Sequence, residues 1–414
     1  MIKAVMDKSA HSKSKVVIVG AGFAGVRAAR ALSKQPDIEI TLISATDSFS
    51  YFPQLYHAAT GGARSESSLP LTDLLSGLSV TVVTDTIVKF DPEGKTVTGS
   101  AGATYAYTDL ILAVGSVTNY FGIVGLKEFS YDIKTITGAE RFKNHLHKQL
   151  VEDSVPDLNY VVVGGGPTGV ELAAALGDYL RRITRLHGLK KPKYSIELVE
   201  AAPRLLPRSP ETFGAHIHKQ LESLGVKVMT GAVVQAETAD ALQLKGESIT
   251  SKTVVWTAGV ANNPFFKANE AQFTLAKNGK VEVDEHLQSR PNVYVIGDNA
   301  ATQYSGMAQT AIDNADFVVK DIEAVRNGGS RRAYKPKAPI SVIPVGERWA
   351  AAQWGPVLLY GIAGYVLRRL ADLVGYADIE SWSSAIKVWM QDPRHEDGCP
   401  ICAKASGEPS PEPS

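Results

Sequence analysis

Short apolar runs alternate with segments of helical character over most of the chain. The runs that have the pattern of buried strands are KVVIVG, IEITLIS, TDLILAVG, YVVVGG, SIELVE and NVYVIGD. Alanine-rich segments of helical pattern follow the first and the fourth run directly, in GVRAARALS and GVELAAAL. Buried strands that alternate with helices are typical of parallel sheets, so the pattern predicts an α/β fold.

Two of these runs end in the same spacing of glycines before a helix. In a strand-turn-helix unit the first glycine makes the tight turn, the second lets the backbone approach a pyrophosphate, and the third lets the helix pack closely on the strand. A single loop of this kind is weak support for a nucleotide, but two loops predict two Rossmann-like dinucleotide-binding domains. The glycines are Gly20, Gly22 and Gly25 in the first loop, and Gly164, Gly166 and Gly169 in the second.

The strand after each loop offers a residue for the ribose. SIELVE ends in Glu200, whose carboxylate can accept hydrogen bonds from both ribose hydroxyls and would repel a 2′-phosphate, which favours NADH over NADPH. The corresponding strand in the first unit ends in Ser44, with Asp47 slightly beyond. The ribose assignment is therefore weaker for the first nucleotide than for the second.

The region near the C-terminus carries two amphipathic patterns. About fourteen uncharged, mostly apolar residues precede Arg368 and Arg369, fewer than the roughly 20 that a helix needs to span a bilayer. Helices with tryptophans and nearby basic residues suit the headgroup boundary, although such faces also pack on a protein core or at a dimer interface. The predicted apolar faces consist of Leu358, Ile362, Tyr365, Val366 and Leu370, and of Trp382, Ile386, Trp389 and Met390.

Composition sets further limits. The chain has 414 residues, 44% of them hydrophobic and 21% charged, which suits a globular protein of two to three domains. Lys plus Arg and Asp plus Glu number 43 each, so no positive field indicates a nucleic-acid partner. The first eleven residues contain lysines but no apolar segment, which predicts no secretory signal. With only two cysteines, we expect a protein that faces the cytoplasm.

Both cysteines lie close to the C-terminus, in HEDGCPICAK. Cys399, Cys402 and His395 offer three ligands, one fewer than a closed zinc site needs, and a metal shared between subunits is the alternative to two loosely packed thiols. The residues after them have the Pro/Ser/Glu composition of disordered tails. The sequence therefore predicts no metal site of its own.

Two further motifs bear on the first nucleotide. NVYVIGDNA, with Gly297 and Asp298, resembles the late FAD-binding motif of the two-dinucleotide-domain flavoproteins, and TDLILAVGS, with Gly115, resembles their middle motif. Within that superfamily the chain resembles the type II NADH:quinone oxidoreductases. The stretches that carry the narrower likeness are SYFPQLYHAATG, VVWTAGV and MAQTAIDNADFVV.

The resemblance implies a glutathione-reductase-like architecture with a C-terminal membrane-binding region of amphipathic helices. The expected domains are the two parts of an FAD-binding domain (14–120 and 260–345), an NADH-binding domain (121–259), membrane-binding helices (346–392) and a tail (393–414). The implied cofactors are FAD and NADH, with hydride transfer to flavin N5 and two electrons passed to a membrane quinone. Subunits of the family are expected to pair as homodimers, peripherally bound to the cytoplasmic face of the membrane in respiratory electron transport.

The resemblance also assigns residues. It places Glu171 near the nicotinamide, although an ordinary acid at a helix N-terminus is the alternative. The AQxAxQ segment that lines the quinone pocket in the family is matched by Ala308, Gln309 and Ala311, whereas Asp313 replaces its last glutamine. Pro53 and Gly259, within the quoted stretches, complete the expected cofactor-binding set.

Other acceptors remain open at this stage. Residues 1–398 contain no cysteine, which removes the reagent of disulfide reductases and sulfide:quinone enzymes. The alternatives to a quinone reductase are a flavoprotein reductase that serves a soluble acceptor of the ferredoxin type, and a flavoprotein that senses NAD(H) with little turnover.

Overall fold

The computed structural model describes residues 13–151, 157–189 and 193–390. Its strands are, in chain order, β1 Ser14–Val19, β2 Ile38–Ser44, β3 Ser48–Ser50, β4 Ser68–Pro70, β5 Val80–Thr84, β6 Ile87–Asp91, β7 Thr96–Gly99, β8 Thr104–Ala106, β9 Asp109–Leu112, β10 Ser116–Thr118, β11 Asn159–Val163, β12 Ser195–Glu200, β13 Val226–Thr230, β14 Val234–Thr238, β15 Ala241–Leu244, β16 Ser248–Thr250, β17 Thr253–Trp256, β18 Val260–Asn262, β19 Gln288–Arg290, β20 Val293–Val295, β21 Ser341–Pro344, β22 Ala350–Trp354 and β23 Val357–Gly361.

The helices of the same ranges vary from one turn to five. They are α1 Phe23–Leu32, α2 Leu55–Ala59, α3 Arg64–Ser67, α4 Leu71–Leu74, α5 Leu126–Phe129, α6 Ile136–Val151, α7 Pro167–Leu186, α8 Glu211–Ser223, α9 Pro264–Ala268, α10 Ala308–Arg326, α11 Ile362–Ala377 and α12 Trp382–Trp389. Short 3₁₀ turns span Phe52–Gln54, Glu270–Gln272 and Gly297–Asn299. Within the described ranges, none of the helices is long and apolar enough to cross a membrane.

The described residues form two compact units. The first comprises those within 1–47, 71–115 and 262–337, and the second those within 48–70, 116–261 and 338–414. The domain boundaries expected from the sequence are defined by the cofactor that each domain binds, not by packing, and they stay predictions. By packing alone, Ser48–Pro70 and the C-terminal helices belong to the second unit.

The first unit is built on a six-stranded sheet in the order β19-β20-β9-β1-β2-β5. Strands β20, β9, β1, β2 and β5 are parallel, and β19 pairs antiparallel at the edge. The central strand β1 has four consecutive buried residues, as expected for a strand covered on both faces. Helix α1 packs against α10, and β6, β7 and β8 form a separate antiparallel sheet.

The second unit repeats the plan on a parallel sheet in the order β13-β12-β11-β17. Helices α6, α7 and α8 share its largest hydrophobic core. The unit also contains the antiparallel sheets β3-β4, β14-β15-β16 and β21-β22-β23, and helix α11 packs on the last of these. Each unit thus carries one parallel sheet with a strand-glycine-helix connection, as the sequence predicts.

The C-terminal region differs from its prediction at one point. Leu358 lies on β23, not on the helix that the sequence assigns to it, and α11 begins only at Ile362. Gly364 explains how the helix sits on the sheet: a Cβ there would overlap the carbonyl oxygen of Ala350 on β22. Ile362, Val366 and Leu370 do share an exposed face, and Tyr365 is half-buried.

Candidate functional site

The first glycine loop has the geometry of a pyrophosphate cradle. Gly20 has a φ of 103°, in the left-handed region that favours glycine, and a Cβ there would overlap the carbonyl of Ala113. A Cβ on Gly25 would overlap the carbonyl oxygen of Gly20, whereas a Cβ on Gly22 would meet no atom within 4 Å. The loop is therefore closed where helix and strand pack and open at the N-terminus of α1, where a phosphate binds best.

The second loop repeats this arrangement residue by residue. Gly164 has a φ of 118°, and a Cβ on Gly169 would overlap the carbonyl oxygen of Gly164. Gly166, at the N-cap of α7, again has open space around its Cβ position. In both loops the backbone geometry thus supports dinucleotide binding, independently of the sequence motif.

Glu200 lies at the end of β12, as predicted for a ribose-binding acid. Its Oε2 accepts a hydrogen bond from the backbone N–H of Gly165 at 2.6 Å, and its Oε1 accepts one from Ala202 at 2.6 Å. A carboxylate has about four acceptor positions, so two remain for ribose hydroxyls. In the first unit, Ser44 is buried and its hydroxyl accepts a bond from the N–H of Thr46 at 3.3 Å.

The late and middle motifs of the first unit are joined by a residue that sequence reasoning missed. Asn299 is fully buried; its Oδ1 accepts from the N–H of Gly115 at 2.9 Å and its Nδ2 donates to the Gly115 carbonyl at 2.7 Å. The N–H of Gly297 donates to Asn314 Oδ1 at 3.0 Å. These bonds fix the backbone beside Asp298, and the signal that could have identified Asn299 is its place directly after the Gly-Asp pair.

The AQTA segment opens helix α10. Gln309 is exposed and Asp313 lies one turn further along the same face, so the two share a surface of the first unit. Ala308 is half-buried and Ala311 is buried beneath them. Asp313 Oδ1 lies 3.3 Å from Lys337 Nζ, an ion pair that the family's glutamine could not make.

In the second unit the structure gathers charged groups that the sequence did not connect. Arg368 Nη1 lies 3.4 Å from Glu171 Oε1, and Arg368 Nε lies 3.0 Å from Asp372 Oδ2. The side chains of Arg368, Glu171 and Asp372 are 8%, 12% and 6% exposed. We call Glu171, Arg368 and Asp372 the ionic cluster.

Backbone and side-chain groups hold the ionic cluster from several sides. Arg368 donates to the carbonyl of Pro53 at 2.7 Å, and Gln54 Nε2 donates to Asp372 Oδ2 at 3.2 Å. The ring of Tyr51 stacks on Tyr376 with centroids 4.2 Å apart. The carbonyl of Pro53 thus helps to orient Arg368.

Charge balance decides the protonation of the cluster. Two carboxyls share one guanidinium, and an arginine stays protonated throughout the physiological range. Burial raises the pKa of Glu171 to about 8, an effect that Arg368 opposes and Asp372 reinforces. Burial also raises the pKa of Asp372, with Arg368 acting against it. At neutral pH the cluster therefore retains a proton on Glu171.

Glu171 is not an ordinary acid of a helix terminus. The first turn of α7 contains no acidic residue, because Glu171 lies one turn deeper and faces Arg368. The sequence signal for its partners is the Arg-Asp pair at positions i and i+4 of α11, which is out of place in an otherwise apolar stretch.

The remaining predicted residues are placed as follows. Gly259 packs so closely that a Cβ would overlap the ring of Phe121, and its carbonyl accepts from the N–H of Asn119 at 3.1 Å. His395, Cys399 and Cys402 lie outside the described residues. Among those that are described, no group of three or more His, Cys, Asp and Glu residues is arranged to hold a metal ion.

Comparison with known proteins decides the family. Residues 14–315 match the pyridine nucleotide-disulphide oxidoreductase family. The type II NADH:quinone oxidoreductase Ndh of Mycobacterium tuberculosis is 30% identical over 395 residues, 88% of this chain and 85% of that protein. The chain belongs to the type II NADH:quinone oxidoreductase family. The resemblance inferred from the sequence is thereby confirmed.

Two further relatives agree. The type II NADH:quinone oxidoreductase of Staphylococcus aureus is 30% identical over 349 residues, which cover 79% of this chain and 86% of that protein. NDH2 of Plasmodium falciparum, solved in complex with NADH, superposes with a TM-score of 0.82 over 96% of this chain and 99% of its own, at 18% identity. That structure shows the same fold, so the α/β, Rossmann-like prediction is confirmed.

Proposed function

We propose that this member of the type II family is an FAD-dependent NADH:quinone oxidoreductase that moves no protons across the membrane. Family membership supports the reaction, and the observation that carries it in this chain is Glu171. A buried carboxyl that stays protonated at neutral pH sits on the same helix, α7, that begins at the second glycine loop.

The two loops divide the binding of the cofactors. Gly22 and the N-terminus of α1 receive the pyrophosphate of FAD, and Gly166 and the N-terminus of α7 receive that of NADH. Gly115, Gly297 and Asp298 hold the remainder of FAD, and Glu200 accepts the ribose hydroxyls of NADH. FAD supplies the two-electron chemistry that links a nicotinamide to a quinone.

Reduction of a quinone to a quinol takes up two electrons and two protons. The hydride that NADH delivers accounts for both electrons and one of the protons, and the ionic cluster would supply the other. Arg368 cannot release a proton at physiological pH, so it holds charge and position only. Glu171 is the member that can give up a proton and take it back, with a pKa of about 8. Gln309 and Asp313, on one face of α10, are the polar groups that the family resemblance assigns to the quinone, and Asp313 pairs with Lys337 at 3.3 Å.

Helix α11 supports a peripheral position on the membrane. Its buried residues include Arg368 and Asp372, whereas Ile362, Val366 and Val374 are 73%, 51% and 52% exposed. The usual arrangement of an amphipathic helix on a protein core is the opposite. Helix α12 and its C-cap also expose apolar residues, namely Trp382, Ile386 and Met390. Lipid would cover this surface at the cytoplasmic face, in a homodimer that presents both copies to one side.

The test is anaerobic mixing of the purified protein with NADH while flavin absorbance is followed, and then addition of a short-chain quinone. We expect bleaching by NADH and rapid recovery with quinone, unchanged in a Cys399→Ser/Cys402→Ser variant. Bleaching without recovery would overturn the quinone assignment and point to a soluble protein acceptor or an NAD(H) sensor. Loss of recovery only in the cysteine variant would place the tail on the electron path.

A further inference from the structure

A polar cleft apart from these sites lies in the second unit, lined by α5, α6, β14 and the residue before β17. Its volume is about 520 Å³. The side chains that matter for its chemistry are Glu128, Tyr131, Arg141, Lys148, Glu237 and Lys252. None of them belongs to either glycine loop or to the ionic cluster.

The cleft lies at the opposite end of the parallel sheet from the second glycine loop. That loop follows the carboxyl end of β11, where Val163 pairs with Trp256 of β17. Lys252 directly precedes Thr253, the first residue of β17, and therefore lies at the amino end of the sheet. Nucleotides bind at the carboxyl ends of parallel strands, so this cleft is a separate site from that of NADH.

One wall of the cleft is preorganised. The ring of Tyr131 stacks on His145 at 4.7 Å between centroids, and the Arg141 guanidinium carbon lies 4.9 Å from the centre of the Tyr131 ring. Arg141 Nη2 donates to the carbonyl of Ser130 at 3.2 Å, and His145 Nε2 lies 2.9 Å from Thr253 Oγ1. Arg141 is thus held in place while further N–H groups of its guanidinium stay available.

Glu237 gives the cleft a buried carboxyl. The residue is 5% exposed, and its Oε2 has no hydrogen-bond partner among the described residues. A buried polar atom without a partner is costly, and a ligand that supplies the partner would remove that cost. Burial raises the pKa of Glu237 to about 8, so at neutral pH the group is an uncharged hydrogen-bonding carboxyl.

The remaining charges leave the cleft positive. Lys252 Nζ lies 3.7 Å from Asp240 Oδ1, which offsets its charge, and Glu128 is a further acid on the rim. Arg141 and Lys148 are then in excess over the ionised acids. The charged and titratable groups around Glu237 are Glu128 on α5, Arg141, His145 and Lys148 on α6, Lys252 and Asp240 beside β17 and β14, and Tyr120.

We propose that this cleft binds a small phosphorylated metabolite whose phosphate lies against Arg141 and Lys148 and whose hydroxyl or amino group bonds Glu237. Arginine suits a phosphate because its planar fork can make paired hydrogen bonds, and a lysine adds a point charge. Glu237 offers a hydrogen-bonding group to the rest of such a metabolite, which bare inorganic phosphate lacks. The site shares no residue with the proposed reaction.

The test is phosphorus NMR line broadening on the FAD-loaded protein, with glycerol 3-phosphate and inorganic phosphate as the probes and saturating NAD⁺ filling the nucleotide site. We expect glycerol 3-phosphate to bind at least about tenfold more tightly than phosphate, and its affinity to fall at least about tenfold in Arg141→Gln/Lys148→Gln. Arg185→Gln, an exposed arginine on α7 outside the cleft, is the matched control. Binding without turnover makes the result independent of the quinone reaction.

The Glu237→Gln variant tests the contribution of the carboxyl separately from that of Arg141 and Lys148. In the wild type, affinity should weaken as the pH rises through about 8, because an ionised Glu237 repels the phosphate. The amide variant should bind at pH 7 and lose that pH dependence. The proposal is overturned if neither probe broadens at millimolar concentration, if Arg185→Gln weakens binding as much as the double variant, or if Glu237→Gln leaves the pH profile unchanged.

Discussion

Arg368 and Asp372 lie one turn apart on α11, with Nε and Oδ2 3.0 Å apart in a buried environment. The pair occupies the face of the helix that points into the protein, whereas Val366 and Leu370 on the same helix are half exposed. The guanidinium also reaches Glu171, so Asp372 competes with Glu171 for one positive charge. The protonation of Glu171 therefore depends on Asp372 through the guanidinium that both carboxyls share.

Replacement of Asp372 by asparagine should make Glu171 more acidic. The amide removes the negative charge that raises the pKa of Glu171 and leaves Arg368 to that carboxyl alone. We expect the apparent pKa in the pH profile of quinone-driven flavin reoxidation to fall by about one unit. Stopped-flow rates between pH 6 and 9 measure it, and Lys277→Gln, which removes an exposed charge on the first unit, should leave the profile in place.

The pH dependence of stability should change in a Glu171→Gln variant. Because the folded pKa of Glu171, about 8, lies above the unfolded value, the native state binds the extra proton. Its contribution is complete below about pH 4 and is lost as the pH rises through about 8. Urea unfolding of the wild type and the variant at pH 5, 7 and 9 should show a difference in the free energy of unfolding that shifts in favour of the variant at high pH. A constant difference would contradict the assignment.

Two glycines of one loop should respond in opposite ways to alanine. Gly166→Ala places a methyl group in open space, so we expect a loss of stability under about 1 kcal/mol but a loss of NADH affinity of about tenfold or more. Gly169→Ala forces a Cβ onto the carbonyl of Gly164 and should destabilise the fold by several kcal/mol. Quenching of NADH fluorescence and urea unfolding measure the two effects. Equal loss of stability in both variants would contradict the open space around the Cβ position of Gly166.

Membrane binding should depend on the outer face of α11. Val366→Asp/Leu370→Asp places charges where both residues are 51% exposed, and co-sedimentation with anionic lipid vesicles should fall by about tenfold or more. The matched control is Val88→Asp/Val325→Asp, which alters residues that are 48% and 47% exposed on the other unit. Retained binding in the α11 variant, or an equal loss in the control, would remove α11 from the membrane contact.

How far the sequence predicts the site depends on the range of the interactions. The glycine loops were recognisable because turn geometry and helix start are local, and Glu200 was recognisable because it ends a strand. The ionic cluster was not recognisable from the sequence, because Glu171 and Arg368 are brought together by packing between elements that are distant in the chain. Leu358 was assigned to a helix because a short apolar run has the same composition in a strand, and only pairing with β22 distinguishes the two.

The placement of Arg368 on the inner side of α11 has a thermodynamic consequence. Val366 and Leu370 lie on the same helix that positions the guanidinium, so a ligand that covers them can act on the protonation of Glu171 through Arg368. If lipid shifts the affinity of Glu171 for its proton, then protonation must shift the affinity of the protein for lipid by the same factor. Proton binding at Glu171 and lipid binding at the outer face of α11 would then be two coupled equilibria of one helix.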